Sequence, residues 1–270
     1  MYPAKYAAKA AAALVVIALA VSALGSSAFA QSIYDKVKAA GKIRLGVKND
    51  YPPFASLDKN NTYVGFDIDL WKGFAKDLGV TIEYVPITSQ SRIPLLTNGT
   101  IDAVSGGTTH TIARDAVVDY SITYFRTGQR FLVRKNSGIK GLADLAEPKT
   151  VAVVQGADSG PNFMKLQPKG KLVTFQEYPQ AVLALKQGKV DALTTDEVLL
   201  DEFADSDLEV VGEYITNELY GMLMRQDDSK WRDWINFSIQ AALKNGTYMR
   251  LYHKYFGPAD PPFVLEVWQD

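Results

Sequence analysis

Cysteine is absent from this chain of 270 residues, and histidine occurs only twice. Without thiols there is no disulfide and no thiolate metal site, and His110 and His253 alone do not support a structural zinc. Charge of one sign is missing too, since 29 basic and 30 acidic side chains leave a formal net charge of -1. So balanced a chain has no electrostatic footprint for nucleic acid or for an anionic membrane surface, and any charge that binds must be local. No metal, cofactor or nucleic acid is expected. Long apolar runs are confined to the N-terminus. There Lys5 and Lys9 precede the largely apolar residues 10–24, and Ala28 and Ala30 place small residues at the -3 and -1 positions of a cleavage site. This pattern predicts a secretory leader over residues 1–30, with an apolar run too short for a comfortable membrane span. An exported chain without disulfides or a lipid-carrying cysteine fits the bacterial periplasm best. The remainder, in a sequence 47% hydrophobic and 22% charged, is enough for one large or two modest domains.

The order of elements is regular. Residues 42–47 (KIRLGV) read as a strand, and GFDIDLWKGFAKDLG then sets Leu70, Trp71, Phe74 and Leu78 at helical spacing with Gly79 as a stop. A strand over residues 81–87, a short helix over 92–97 closed by Asn98-Gly99, and a strand over 101–105 complete a β-α-β-α-β unit. A second unit follows: strand 150–154, helix near 161–166, strand 172–175, the helical PQAVLALKQG, and strand 190–193. Leu96-x-x-Gly99-x-Ile101-Asp102-Ala103 is echoed by Leu185-x-x-Gly188-x-Val190-Asp191-Ala192, with both glycines where a helix end needs a left-handed residue. Alternating strands and helices predict mostly parallel sheets. An amphipathic helix over residues 230–243 and a tail remain after the second unit. The economical solution returns them to the first lobe, giving residues 31–126 and 220–270 as lobe 1 and 127–219 as lobe 2. The crossings then fall near residues 124–129 and 217–222, and paired crossings make a hinge.

Residues 105–114, SGGTTHTIAR, hold two glycines, three threonines, a histidine and an arginine, with hardly anything to bury. Such a composition suits a phosphate cradle, a carboxylate clamp or a tight turn before a helix. In open parallel sheets ligands bind beyond the carboxyl ends of the strands, so the residues there carry information of their own. The first unit supplies Lys48, Asn49, Asp50 and Tyr51, then Thr88, Ser89, Gln90 and Arg92, then Gly106, Gly107, Thr109 and Arg114. The second supplies Gln155, Gly156, Ala157 and Asp158, then Tyr178, then Thr195 and Asp196. Cations collect on the first lobe and most carboxylates on the second. Gly107 permits close backbone approach, Thr109 offers a hydroxyl and an N–H, and Arg114 offers a planar fork suited to a carboxylate. No Gly-Lys-Ser/Thr ending supports a nucleotide site. Taken singly, Arg114 could pair with Asp119 and Thr109 could cap the next helix.

Other candidates are weaker. His110 adjoins Thr109, but neighbouring residues point to different sides and no acid or nucleophile is spaced to match it. Asn98 and Asn245 begin Asn-Gly-Thr triplets at helix ends, where capping explains them better than glycosylation. Trp231 and Trp234 read as core, and the tail GPADPPFVLEVW as a strap over a lobe.

On these motifs the chain resembles the periplasmic solute-binding proteins that deliver polar amino acids to ABC transporters. The resemblance covers essentially residues 32–257 and is carried by YPPF with GFDIDLW, by SRIPLLTNGTIDAVSGGTTHTIARDAVVDYS, by KQGKVDALTTDEVLL and by WRDWINFSIQAALKNGTYMRLYHKYFG. The stretch SQSRIPLLTNGT is particularly similar to the glutamate/aspartate-binding branch. The resemblance implies a two-lobed α/β fold (type II), each lobe a mostly parallel sheet flanked by helices, joined by a two-segment hinge. It further implies that Arg114 holds a ligand α-carboxylate with help from Thr109 and the Gly107 backbone, that Asp196 takes the α-ammonium, and that Tyr51 and Phe66 enclose the ligand. In the acidic branch Lys48 and Arg92, with Ser89 nearby, would hold a side-chain carboxylate, and Tyr178 would contact it from the second lobe. Lys48 stands where binders of basic or amide ligands usually have an acid, which favours an acidic ligand. After Gly156 the family commonly places threonine or serine. Here Ala157 and Asp158 follow, a hydroxyl is missing, and Asp158 is a candidate to repel an acidic ligand or to bind a cation. The expectation is a monomeric binder rather than an enzyme, with a membrane permease as partner. The alternative is a cyclohexadienyl or arogenate dehydratase on the same fold, for which residues 155–167 offer Asp158 as the one candidate acid.

Overall fold

The strand and helix segments resolve into two five-stranded sheets. The structure, a computed structural model, describes residues 31–105 and 107–269; the expected leader at residues 1–30 and Gly106 lie outside the described residues. In the first sheet the strands run, in spatial order, Thr81–Ile87, Lys42–Lys48, Ala103–Val104, Leu223–Met224 and Asp119–Tyr120. Lys42–Lys48 lies parallel to both neighbours, in register from Lys42 against Thr81 to Lys48 against Ile87. Flanked by a strand on either side, it buries Ile43, Leu45 and Val47 completely. The second sheet runs Lys171–Phe175, Thr150–Val154, Ala192–Asp196, Gln129–Arg134 and Leu208–Val211. Each sheet therefore starts from the same pattern, with the first strand in the middle and its successors on either side.

The echo between the two units has a structural cause. Asp102 N–H donates to Arg44 O at 2.8 Å while its Oδ2 accepts the Arg44 N–H at 2.9 Å, which pins the third strand to the first. Asp191 does the same on the second sheet, donating to Thr150 O at 2.9 Å and accepting the Thr150 N–H at 2.8 Å. Gly99 and Gly188 precede these clasps with φ of 81° and 72°, the left-handed conformation that lets the chain leave the helix and turn into the strand.

As expected the sheets are mostly parallel, four of the five strands in each pointing the same way and one running against them. Gln129–Arg134 pairs antiparallel with Ala192–Asp196 and with Leu208–Val211, and Leu223–Met224 is antiparallel to both its neighbours. Both strands enter a sheet straight from a crossing, so their direction is set by the crossing and not by a β-α-β unit. The crossings themselves pair: Phe125–Thr127 and Glu218–Tyr220 form a two-stranded antiparallel ribbon.

The helix Phe66–Leu78 buries Phe66, Ile68, Leu70, Trp71, Phe74, Ala75 and Leu78 on the first sheet, with Asp67 and Asp69 in its first turn and Lys76 in its last, as the macrodipole favours. Ser229–Lys244 is the expected amphipathic helix, and Trp231 is fully buried. A further helix, Thr247–Phe256, starts directly after Gly246. Asn98 and Asn245 both turn their side chains back on the chain, accepting from Thr100 N–H and Thr247 N–H at 2.9 Å each. The tail does form a strap. Gln240 ties it down by donating to Glu266 O at 2.8 Å and accepting from Trp268 N–H at 2.9 Å, and Phe263 packs on Phe125.

The two clasps differ in burial, the Asp102 side chain being 7% exposed and that of Asp191 23%. Asp102→Ala is therefore expected to lower unfolding free energy by about 2–4 kcal/mol, since it strands the Arg44 N–H and guanidinium. Asp191→Ala should cost about 1–2 kcal/mol. Urea denaturation of the two variants checks the order, which a common dependence on burial requires.

Candidate functional site

Strand ends of both sheets converge on one small polar cavity. From the first sheet come Lys48 and Tyr51 after Lys42–Lys48, Ser89 and Arg92 after Thr81–Ile87, and Gly107, Thr109 and Arg114 after Ala103–Val104. From the second come Ala157 and Asp158 after Thr150–Val154, Tyr178 after Lys171–Phe175, and Thr195 with Asp196 at the end of Ala192–Asp196. The expected set is thus brought together with one exception. Phe66 is fully buried in the first lobe, edge-on to Phe54, Phe125 and Tyr248, because the first turn of its helix faces the sheet rather than the cleft. It supports the site at one remove, through Phe54, whose ring lies 5.9 Å from Tyr51.

The loops of the two sheets touch across the cavity, whose volume of ≈ 10 Å³ is about that of a single water probe. Gly156, at φ 80°, passes so close to the other side that a Cβ there would lie 2.5 Å from Gln90 Cα. Its carbonyl accepts from both arginines, Arg92 Nη2 and Arg114 Nη2, at 3.3 Å each. Arg114 Nη1 donates to Thr109 O at 3.0 Å and to Asp158 Oδ2 at 2.9 Å. The expected alternative partner, Asp119, turns instead to Arg232 at 3.7 Å. Thr111, not Thr109, caps the turn that carries Arg114. His110 stays outside the cavity, stacked on Tyr120 with its Nε2 2.7 Å from Asp115.

Burial dominates the electrostatics. Lys48 is 2% exposed and its ammonium sits over the rings of Tyr51 and Tyr178, at 4.0 and 4.8 Å from their centroids. Loss of hydration pushes its pKa down to about 8, Arg92 adds to that, and Asp50 opposes it. Arg92 is 3% exposed, and its Nε–H has no hydrogen-bond partner among the described residues. Neither cation forms a salt bridge to a carboxylate among the described residues. On the other side Asp196 is pushed up to about 7 by burial and by the nearby Glu218 and Asp158. Tyr51 Oη donates to Asp196 Oδ2 at 2.8 Å, and Tyr220 Oη reaches the same oxygen.

Three contributors carry no assigned role from sequence, although Thr195 and Asp50 stand among the strand-end residues. Thr195 stands next to Asp196 and bonds the Tyr178 hydroxyl at 3.0 Å. Tyr220 comes from the second crossing, so only the ribbon pairing brings it to Asp196. Asp50 Oδ2 accepts the Tyr178 N–H at 3.0 Å across the cleft, and the Glu177 carboxyl beside it is pushed up to about 7 by burial and by Asp50. A larger cavity of ≈ 270 Å³ lies behind the ribbon, against Phe125, Phe256 and Phe263, but no buried charged donors converge on it.

A family model described as "Bacterial extracellular solute-binding proteins, family 3" matches residues 43–258. Among curated relatives, the glutamine-binding protein of an ABC transporter from Bacillus subtilis (strain 168) is 36% identical over 81% of this chain and 82% of its own. The glutamate/aspartate import solute-binding protein of Escherichia coli (strain K12) is 30% identical over 93% of this chain and 90% of its own. The likeness is thus shared between relatives named for amide and for acidic ligands, and the glutamate/aspartate branch is not singled out. Among solved structures, an ancestral amino acid-binding protein, described as a precursor of cyclohexadienyl dehydratase, is 38% identical with a TM-score of 0.80, over 83% of this chain and all of its own. With the paired sheets, the ribbon between them and strand-end loops meeting in a cleft, the chain belongs to family 3 of the bacterial extracellular solute-binding proteins.

Proposed function

We propose that this protein captures an acidic L-amino acid, glutamate or aspartate, between its lobes and delivers it to an ABC transporter permease. The observation that carries the acidic side chain is the burial of Lys48 and Arg92 without a carboxylate salt-bridge partner among the described residues. Two desolvated cations side by side cost free energy unless an anion joins them, and Arg92 Nε–H is left with a bond to make. In this reading Arg114 takes the α-carboxylate with Thr109 and the Gly107 backbone, Asp196 takes the α-ammonium, and Ser89, Arg92 and Lys48 receive the side-chain carboxylate. Tyr51 and Tyr178 enclose the ligand from opposite lobes.

The lobes divide at residues 126/127 and 219/220, inside the ribbon, so that twisting two short strands opens and closes the cleft. The leader and the family's extracellular character support a periplasmic location, and the reading takes the protein as a monomer. Binding rather than catalysis is the reading, because the curated relatives are named as solute-binding proteins and Asp158, the candidate acid for a dehydratase, serves as a hydrogen-bond acceptor for Arg114. Absence of turnover of prephenate and arogenate is the corresponding expectation.

Calorimetry of mature, ligand-stripped protein should show tight binding of glutamate and aspartate over glutamine, asparagine, arginine and histidine. Arg114→Ala should cost about 2–5 kcal/mol in binding, and unchanged affinity in that variant would refute the site. The protonation states give a second check. Asp196 must lose its proton to hold the ammonium, and Lys48 must keep its own to hold the side-chain carboxylate. Glutamate affinity should therefore climb as pH rises through about 7 and fall again above about 8. Any binding of glutamine should show the rising limb without the falling one; an equal fall for both ligands would remove Lys48 from the side-chain pocket.

A further inference from the structure

Asp158 stands immediately before the helix Ser159–Leu166, at the position where an aspartate ordinarily caps, yet its side chain makes no hydrogen bond to that helix. It reaches across the cleft instead, accepting from Arg114 Nη1 at 2.9 Å, with the two side chains only 25% and 11% exposed. Arg114 is the cation that the proposed function assigns to the ligand's α-carboxylate. Its fork is otherwise occupied by two carbonyls, Thr109 O on Nη1 and Gly156 O on Nη2. A second carboxylate therefore cannot reach Arg114 while Asp158 remains there, since like charges at that distance repel and the donors are already shared.

We propose that Asp158 is a built-in competitor for the ligand carboxylate: it occupies the Arg114 guanidinium, the ligand displaces it, and the released side chain caps the helix Ser159–Leu166. That second resting place requires the Asp158 backbone to leave its present helical conformation, φ -83° and ψ -11°, for the extended one of a capping residue. Helix starts offer the N–H groups of their second and third residues to a capping oxygen; the third residue here is Pro161, which has none, so Gly160 is the donor available to position 158. The helix dipole favours a carboxylate at that end as well. The charges around Asp158 pull both ways. Arg114 and Arg92 attract it into the cleft, whereas Asp196 and Glu218 repel it outward. Such a contest suits a group that must leave. Because Arg114 and Asp158 belong to opposite sides of the cleft, their bond also holds the lobes together, and the ligand inherits a closure that Asp158 partly preforms.

This inference rests on Arg114 being the α-carboxylate site, and the experiment separates the two. Calorimetry at pH 7 with glutamate, aspartate and glutamine would compare the parent with Asp158→Asn, Asp158→Ala and Arg114→Ala. Both Asp158 variants should bind more tightly by about tenfold, the factor set by the loss of one competing charge-assisted hydrogen bond. The gain should be shared by acidic and amide ligands, because the same α-carboxylate competes in each. Weaker binding would make Asp158 a ligand-holding group, a gain limited to glutamate and aspartate would reduce it to a distant negative charge, and unchanged affinity would show no competition; each overturns the proposal. If Arg114→Ala binds like the parent, the functional reading itself falls. If Arg114→Ala loses binding while the Asp158 variants match the parent, only the competitor falls.

Discussion

Two cations buried at the ends of adjacent strands, Lys48 and Arg92, set the terms for the rest of this molecule. Hydration is withdrawn from both, and Lys48 is left with ring faces as its nearest compensation. An arrangement of this kind is tolerable in a fold already stabilised elsewhere, by a well-packed aromatic core under the first sheet and a second apolar core under the other. In the proposed reading the site is a store of unfavourable electrostatics that an anion of the right shape relieves. That is the physical basis for expecting selectivity from the pocket and not from its volume.

The opposing lobe supplies the complementary problem, a buried carboxylate. Asp196 is held by two tyrosine hydroxyls, those of Tyr51 and Tyr220. In the proposed reading closure is coupled to charge: cations gathered on one side, a carboxylate on the other, and a ribbon of two short strands pairing the crossings between them. Asp158 and Arg114 add an ion pair across the cleft, which in the proposed reading works against the ligand and for closure at once. Affinity in such a design is a difference between terms of similar size, and single charges shift it strongly.

Much of this was legible along the chain. The two β-α-β-α-β units follow from helical spacing, glycine stops and short β-rich runs, and the Leu-x-x-Gly-x-Ile/Val-Asp-Ala echo proved to be a repeated clasp between first and third strands. The residues that stand at or after each strand end in the sequence include Lys48, Arg92, Arg114, Tyr178 and Asp196, and all five line the cavity. Strands whose partners lie far away in sequence, such as Gln129–Arg134 against Ala192–Asp196, left no comparable local trace.

Side-chain direction and cross-lobe partners were decided by the tertiary structure alone. Phe66 sits beside a site motif, yet the rotation of its helix on the sheet sends the ring into the core. Tyr220 carries no signal until the ribbon places it against Asp196. At residue 158 the sequence determined that a carboxylate stands before a helix; the approach of the second lobe decided that it bonds Arg114 instead of capping. Local periodicity fixes which residues follow a strand, because it depends on backbone geometry over a few residues. Which of them meet depends on the packing of segments far apart in the chain, and that is a property of the folded whole.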